Sequence, residues 1–246
     1  MNILFLLAGS SDSFYKEGFN YPKPIIEING EMVIKKVIDN YKDLLNKENK
    51  VIFIIREEDE LSHHLTKIIK LLVPRAEVIK VKKETQGAAC TSLLAIDFIE
   101  NPESLLVVSG DQIIDAEIKE IINFFKKENK DGGLLTFTSV HPRFSYVKLS
   151  KKLEVIEASE KTPISKNATA GFYFYKSGKQ FVKYTKQMIE KGSEVNGKYY
   201  LCPIFNEMIL DNKKIISYQI DSQKYHSLMT PDLFKDYKKL MEQKNV

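Results

Sequence analysis

A lysine between two prolines, Pro22-Lys23-Pro24, follows a small-residue loop near the start of the chain. The loop, residues 9–21, is rich in Gly, Ser and Asp, and the apolar run 2–8 before it has the length of a buried strand. Backbone N–H groups can approach an anion where no Cβ intervenes, so a strand that leads into such a loop is typical of phosphate sites. The prolines fix φ and favour extended geometry in the residues before them, which would hold the Lys23 charge in place. From this segment alone, a surface loop with a solvated lysine remains the alternative.

A second candidate group is the carboxylate of Asp111, which follows the apolar run 105–108 and the pair Ser109-Gly110. In open α/β sheets, ligands bind at the carboxyl ends of the strands, and that edge would also hold Lys23 and a helix start at Gly87. Lysine and a glycine loop suit a polyphosphate, and a carboxylate beside a polyphosphate suits Mg²⁺. These residues indicate phosphoryl or nucleotidyl transfer, although Asp111 could instead cap a helix. Neither GxxxxGK[ST] nor GxGxxG occurs in the chain.

The elements that would position these residues alternate between strand and helix through the first half of the chain. Apolar runs of strand length are followed by segments whose apolar residues recur at helical spacing. The predicted strands are 2–8, 51–55, 77–81 and 105–108, and the predicted helices are 32–45, 57–73, 86–98 and 117–125. This alternation predicts an α/β fold with a parallel sheet and helices on both faces, in three layers αβα.

The second half of the chain has shorter strands and a less regular order. The predicted strands are 133–140, 146–149, 154–158, 169–175 and 215–220, and the predicted helices are 179–190, 203–210 and 231–242. No repeat, low-complexity segment or Gly/Ser/Pro-rich linker separates the halves. We therefore expect a mostly parallel mixed sheet in a single domain, 1–246, with a nucleotide-type half at 1–130 and a more variable half at 131–246.

The composition is that of a soluble globular chain without a strong charge bias. The 246 residues include 37 basic and 33 acidic side chains, a formal charge of +4, so nucleic acid is not expected as a partner. No apolar run approaches the length of a membrane span, and residues 3–8 are too short for a signal-peptide core. Cys90 and Cys202 form no CxxC pattern, and so few cysteines favour a reducing cytoplasm.

An ordered set of motifs resembles the sugar-phosphate nucleotidyltransferase family. The first four are LLAG at 6–9, YPKPIIEING at 21–30, TQGAACTSLLA at 85–95 and VVSGDQIID at 107–115. The later three are IEASEKTPIS at 156–165, ATAGFYFY at 168–175 and YHSLMTPDLF at 225–234. The chain looks most similar to a compact bacterial subgroup associated with capsule and surface polysaccharides. The resemblance implies the nucleotidyltransferase fold, which is Rossmann-type and GT-A-like.

The resemblance also implies a reaction in which a nucleoside triphosphate and a phosphorylated metabolite give a nucleoside-diphosphate product and pyrophosphate. Lys23 would neutralise the phosphates near the α-phosphorus, and Asp111 would hold Mg²⁺. The residues implied to bind the nucleotide are Leu7, Ala8, Gly9, Ser10, Lys16, Gln86, Gly87, Ala88, Ser109 and Gly110. Small residues at Ala88 and Ala89 offer no purine-specific side chain, so a pyrimidine nucleotide, CTP first, is expected.

The half 131–246 would bind the acceptor, a sugar phosphate, a polyol phosphate, or a small capsule precursor such as a phosphorylated amino acid or amide. By resemblance, Glu160 would touch its polar groups, Lys161 its phosphate, and Gly171 would leave space beside it. Arg143 could bind an acceptor phosphate or carboxylate, but a surface turn is the equal alternative.

Two positions depart from the family pattern. The loop GSSDSFYKEG has no arginine to grip a triphosphate, and Lys16 is the nearby cation. Ser227 stands where the family usually has an aspartate that completes the metal site, so a second metal ligand is not identified.

Two other functional classes remain open from the sequence. A glycosyltransferase that uses a nucleotide-sugar donor usually carries a DxD pair, whereas this chain reads Asp111-Gln112-Ile113. The departures from the family pattern also suit a nucleotide-binding regulatory protein with weak or no catalysis. The oligomeric state is open, with a homodimer as one alternative.

Overall fold

A computed structural model describes residues 1–244, which form one large mixed sheet with helices on both faces. The strands are β1 (Asn2–Leu6), β2 (Glu27–Ile28), β3 (Glu31–Met32), β4 (Lys50–Arg56), β5 (Glu77–Val81), β6 (Leu105–Ser109), β7 (Gln112–Ile114), β8 (Gly132–Thr138), β9 (Ser145–Leu149), β10 (Val155–Glu160), β11 (Asn167–Tyr175), β12 (Ile215–Gln219) and β13 (Tyr225–Ser227). The helices are α1 (Asp12–Lys16), α2 (Val33–Asn40), α3 (Glu57–His63), α4 (Leu65–Leu72), α5 (Ala88–Leu93), α6 (Ile96–Ile99), α7 (Ile118–Glu128), α8 (Gly178–Glu190), α9 (Ile204–Leu210) and α10 (Pro231–Lys244).

The large sheet has the strand order β10-β9-β11-β6-β1-β4-β5, with β8 also paired to β11 and β12 paired to β8. β6, β1, β4 and β5 run parallel, whereas β11 runs antiparallel to β6. Strands from both halves of the chain therefore share one sheet. The predicted α/β class and mixed sheet are confirmed.

Side chains alternate between two apolar cores, one on each face of the sheet. On β1, Ile3 and Phe5 belong to the first core and Leu4 to the second, as the two-residue period of a strand requires. The first core is covered by α2, α4, α7 and α10, and the second by α5, α6, α8 and α9. The order of layers is the predicted αβα. Within residues 1–244, no helix combines the length and the apolar character needed to cross a membrane.

Several predicted elements are shorter or interrupted in the structure. The predicted helix 57–73 is two helices, because His64 adopts a left-handed conformation, with φ of 52°. The predicted helix 86–98 also divides in two, and Ser92 Oγ within it donates to the carbonyl of Ala88, a contact that can bend a helix. The loop 9–21 contains the five-residue helix α1. The sequence analysis missed β7 and β13, which have three residues each.

The short strand β7 carries the chain away from Asp111 and is held by two side-chain amides. Asn40 on α2 donates to the Ile114 carbonyl at 2.8 Å and accepts from the Ile114 N–H at 2.9 Å. Gln112 donates to the Gly171 carbonyl at 2.7 Å and accepts from the Gly171 N–H at 2.9 Å. β7 lies outside the large sheet, so it lacks the hydrogen bonds that a strand has there. The contacts of Asn40 and Gln112 replace part of them.

We expect Asn40→Ala to lower the free energy of unfolding by about 1–3 kcal/mol, because the Ile114 N–H loses its partner and the Ile114 carbonyl keeps only the Ala116 N–H. Urea unfolding followed by circular dichroism measures this change. Asn123→Ala is the matched control, since Asn123 is exposed on α7, and we expect a change within about 0.5 kcal/mol. Equal effects of the two substitutions would show that the Asn40 amide does not stabilise β7.

Candidate active site

The side chains of Lys23 and Asp111 meet at the carboxyl edge of the sheet. Lys23 Nζ donates to Asp111 Oδ2 at 2.7 Å, although 88 residues separate the two in sequence. The Lys23 side chain is 9% exposed and that of Asp111 is 26% exposed. A buried ammonium group is stable only with a charged or hydrogen-bonding partner, so the contact fixes both side chains.

Local backbone contacts hold Lys23 in place. Pro22 has φ of −66° and ψ of 149°, and Lys23 begins a single 3-10 turn, Lys23–Ile25, instead of continuing the extended geometry expected before Pro24. The Lys23 N–H donates to Ser11 Oγ at 3.0 Å, which ties the turn to the loop 9–21. A Cβ at Gly9 would lie 3.7 Å from Lys23 Nζ, so the loop backbone runs beside the ammonium group.

The rest of the loop follows directly from β1. Leu7 N–H donates to the Ile54 carbonyl at 2.8 Å, which extends the hydrogen bonding between β1 and β4 to Leu7. Ser10 Oγ accepts from the Asp12 N–H at 3.0 Å at the start of α1. Lys16 is exposed at the end of α1, and within residues 1–244 its side chain has no hydrogen bond or ion pair. The structure therefore does not bring Lys16 into contact with Lys23.

The turn after β6 is packed tightly against its neighbours. A Cβ at Gly110 would lie 2.2 Å from Leu7 Cδ2, so only glycine fits between β6 and β1 at this point. A Cβ at Gly171 would lie 2.2 Å from Ser109 Oγ and 3.0 Å from Gln112 Oε1. The space expected beside Gly171 is thus occupied by Ser109 and Gln112. The close packing of β11 against the turn after β6 is sufficient to explain why position 171 is a glycine.

The loop before α5 is fixed by the backbone of Tyr199. Gly87 has φ of 106°, and a Cβ there would lie 2.4 Å from the Tyr199 carbonyl oxygen. The Gln86 carbonyl accepts from the Tyr199 N–H at 2.7 Å, and Ala89 N–H donates to the Tyr199 carbonyl at 3.1 Å. Gln86, Gly87 and Ala88 therefore form one rigid loop, which borders the same edge of the sheet.

The adjacent residues Glu160 and Lys161 have different environments. Glu160 is 6% exposed, accepts a hydrogen bond from Ser145 Oγ at 2.5 Å, and has a pKa raised by burial. Lys161 is exposed, has φ of 55°, and donates from Nζ to Tyr200 Oη at 2.8 Å. The left-handed conformation of Lys161 turns the chain, so the Glu160 carboxyl is buried while the Lys161 side chain faces solvent.

Arg143 is half-buried in the turn between β8 and β9. Its Nε donates to His141 Nδ1 at 3.0 Å, and its guanidinium lies 6.0 Å from the ring centre of Phe144. The Phe144 carbonyl accepts from the Lys161 N–H at 3.1 Å, so this turn borders the Glu160-Lys161 segment. Arg143 therefore lies in a turn beside Glu160 and Lys161, and its binding of an acceptor phosphate or carboxylate stays a prediction.

The neighbourhood of Asp111 has few further metal ligands. Ser227 pairs with Gln112 across β13 and β7, and Leu228 N–H donates to the Asp111 carbonyl at 2.7 Å. Burial raises the pKa of Tyr225, and the charge of Asp111 raises it further, so this buried phenol stays neutral beside the carboxylate. No group of three or more His, Cys, Asp or Glu side chains within residues 1–244 is arranged to hold a metal ion.

Comparisons with known proteins agree on one family and one fold. A family model described as "Nucleotidyl transferase" matches residues 6–220. The bifunctional protein GlmU of Thermosipho africanus is 27% identical over 212 residues, which are 83% of this chain and 43% of that protein. The chain thus spans less than half the length of this curated relative.

Two solved structures share the fold over almost the whole chain. The nucleoside-diphosphate-sugar pyrophosphorylase of Vibrio cholerae has a TM-score of 0.81 and 21% identity, over 97% of this chain and all of that one. The inositol-1-phosphate CTP transferase of T. maritima has a TM-score of 0.75 and 12% identity, over 98% of this chain and 94% of that one. At sequence identities of 21% and 12%, the similarity to these structures shows a shared fold.

The buried carboxyl of Glu160 predicts a pH effect on stability. Its pKa is raised from 4.5 in the folded protein, so the unfolded chain loses this proton first as the pH rises, and Glu160 lowers the free energy of unfolding above about pH 4.5. We therefore expect Glu160→Gln to gain stability relative to the wild type between pH 4.5 and pH 7. Urea unfolding at both pH values measures the difference.

Glu157→Gln provides the control, because Glu157 is exposed on the same strand and pairs with Lys148. The free energy of unfolding of Glu157→Gln, relative to that of the wild type, should not rise between pH 4.5 and pH 7. The prediction would be contradicted if the free energy of unfolding of Glu160→Gln differed from that of the wild type by the same amount at both pH values.

Proposed function

Because the chain belongs to the nucleotidyl transferase family, we propose that it is a nucleotidylyltransferase that joins a nucleoside triphosphate to a phosphorylated metabolite and releases pyrophosphate. The observation that carries this proposal is the contact between Lys23 and Asp111, at 2.7 Å beside the Gly9 backbone. It brings together an ammonium group, a carboxylate and an open loop backbone at the edge of the sheet where ligands bind in such folds.

In the proposed reaction, a phosphate oxygen of the acceptor attacks the α-phosphorus in line. A bond forms between that oxygen and the α-phosphorus, and the bond to the bridging oxygen of the β-phosphate breaks, so pyrophosphate leaves with the electron pair. Lys23 neutralises charge on the phosphate oxygens by donating from Nζ, and the loop that begins at Gly9 donates backbone N–H groups. Catalysis of this kind depends on positioning the two substrates and neutralising the charge of the phosphates, with no covalent enzyme intermediate.

Asp111 is the residue that would hold Mg²⁺. Mg²⁺ is usually bound through one or two carboxylates, with waters and substrate phosphates completing its shell. A single, partly exposed carboxylate fits that requirement, whereas the serine at position 227 leaves the metal without a second protein carboxylate from β13. When bound, Mg²⁺ supplies positive charge to the phosphates.

We propose CTP as the first candidate nucleotide, bound through the rigid loop that contains Gln86, Gly87 and Ala88. The loop presents backbone groups and a small side chain, which suits a pyrimidine. The T. maritima neighbour is described as a CTP transferase, so the fold itself accommodates this nucleotide.

The acceptor is proposed to bind in the half 131–246, near Glu160, Lys161 and Arg143. Buried Glu160 suits polar groups of the acceptor, and exposed Lys161 suits its phosphate. A small phosphorylated precursor for capsule or surface polysaccharide synthesis fits the subgroup that the motifs resemble. A cytoplasmic, single-domain enzyme, as a monomer or a homodimer, is the form that we propose.

Measurement of the released products tests the proposal against its two alternatives. With Mg²⁺, CTP and a panel of sugar, polyol and amino-acid phosphates, we expect pyrophosphate release that requires both substrates. A glycosyltransferase would instead release nucleoside diphosphate from a nucleotide sugar, and a regulatory protein would release neither. A thermal-shift screen of CTP, UTP, dTTP, GTP and ATP with Mg²⁺ identifies the nucleotide, and stabilisation by purines alone would overturn the choice of CTP.

We expect Lys23→Ala to lower kcat/KM by about 10²–10³-fold, because one charged donor to the phosphates is lost. Thermal unfolding and circular dichroism should show that the fold is intact. Lys36→Ala is the matched control, since Lys36 is also paired with a carboxylate, Glu31 at 2.7 Å, but lies on α2. Turnover near the wild-type rate in Lys23→Ala would exclude the proposed role of this lysine.

A further inference from the structure

Arg56, the last residue of β4, has an incompletely paired guanidinium. Its Nη2 contacts Glu58 Oε1, whereas its Nη1 is buried without a hydrogen-bond partner. Asp59, which is 2% exposed, likewise has a buried Oδ2 without a partner. Within residues 1–244 no ion pair joins Arg56 to Asp59, so a donor and an acceptor remain unsatisfied in the same corner of the molecule. Such buried groups cost stability and call for a functional explanation.

The sheet register places Arg56 at the same edge of the sheet as the proposed nucleotide site. Leu6 pairs with Ile54 on β4 and with Ser109 on β6. Arg56 ends β4 two residues after Ile54, and Asp111 lies in the turn that follows Ser109 at the end of β6. Ile54 and Ser109 are two strand spacings of about 4.8 Å apart, so the ends of β4 and β6 lie about 10 Å apart across the carboxyl edge.

Charges near Arg56 connect it with two loops of the site. The pKa of Tyr15 on α1 is raised first by burial and then by Asp59, and Arg56 lowers it in part. The pKa of Glu84, in the loop before Gly87, is lowered first by Lys198 and in part by Arg56. The charge of Arg56 therefore acts on a residue of the loop that follows β1 and on a residue of the loop proposed to receive the base.

The surroundings of Arg56 suit a neutral ligand group better than a phosphate. Its acidic neighbours are Glu58, Asp59 and Glu84. The nearby cations Lys23 and Lys198 are themselves paired with Asp111 and Glu84, each at 2.7 Å. The carboxylates near Arg56 therefore outnumber the cations that are not already paired. This excess of negative charge repels a polyanion, but it does not repel the uncharged edge of a base.

We propose that Arg56 contacts the nucleotide base and selects a base with two neighbouring hydrogen-bond acceptors, as cytosine presents at O2 and N3. A guanidinium only donates, and its planar fork matches two adjacent acceptors once the side chain turns away from Glu58 and exposes the buried Nη1. Uracil carries a hydrogen on N3 and matches this fork less well. The contact with Glu58, an exposed partner, contributes little stability and can be exchanged for the base. This inference rests on the proposed function and adds a residue that determines its specificity.

Binding of CTP and UTP to Arg56→Ala tests the inference. Dissociation constants are measured by isothermal titration calorimetry with Mg²⁺ and without acceptor. We expect the wild type to prefer CTP, and the variant to lose CTP affinity by roughly 10- to 100-fold with little change for UTP, because a charged donor to the base is removed. Arg56→Lys keeps the charge but not the fork, so it should also lose the preference. Glu58→Gln frees the guanidinium and should bind CTP more tightly than the wild type.

Arg75→Ala is the matched control, because Arg75 is exposed on the loop after α4 and should leave both affinities unchanged. Equal losses for CTP and UTP in Arg56→Ala would indicate a phosphate contact or a structural role and overturn the inference. A wild type that binds CTP and UTP equally would also overturn it. If the wild type binds no nucleotide at all, the proposed function itself fails, and the two failures are thereby distinguished.

Discussion

The ion pair between Lys23 and Asp111 is the interaction on which the rest of the site depends. An ammonium group with 9% of its side chain exposed has lost most of its hydration, and only a close carboxylate compensates for that loss. The loop after β1 and the turn after β6 must therefore adopt conformations that bring these groups together. The hydrogen bond from Lys23 to Ser11 and the close contact of Gly110 with Leu7 are consequences of that requirement.

The turn after β6 is stabilised by side-chain amides in place of a regular strand ladder. Asn40 and Gln112 each donate and accept one backbone hydrogen bond, and so they fix both ends of β7. Rigid support of this kind lowers the entropy lost when a ligand orders its site. Asp111 thus presents its carboxylate from a position that is set before any substrate binds.

The sequence predicted the central sheet and the pair of charged residues, because both depend on local patterns. Apolar runs identify buried strands, and the carboxyl-edge rule brings Lys23 and Asp111 together once the strands are known. The three-residue strand β7 and the helix break at His64 carry no periodic signal. Arg56 was missed for another reason: its significance lies in unpaired buried atoms, its own Nη1 and Asp59 Oδ2, which are visible only after folding. Lys16, the cation in the loop that lacks the family's arginine, faces solvent.

Charge is distributed along the carboxyl edge according to the group that each part would receive. Lys23 and Asp111 place a cation and a carboxylate, the proposed Mg²⁺ ligand, where phosphates are proposed to react. At Arg56 the acidic neighbours offset the positive charge, so the guanidinium retains its directional donors without a strong attraction for phosphate. At Glu160 burial disfavours the charged form of the carboxyl, which reduces its repulsion of a phosphorylated acceptor. A substrate that is charged only at its phosphates would therefore be oriented by electrostatics before any close contact is made.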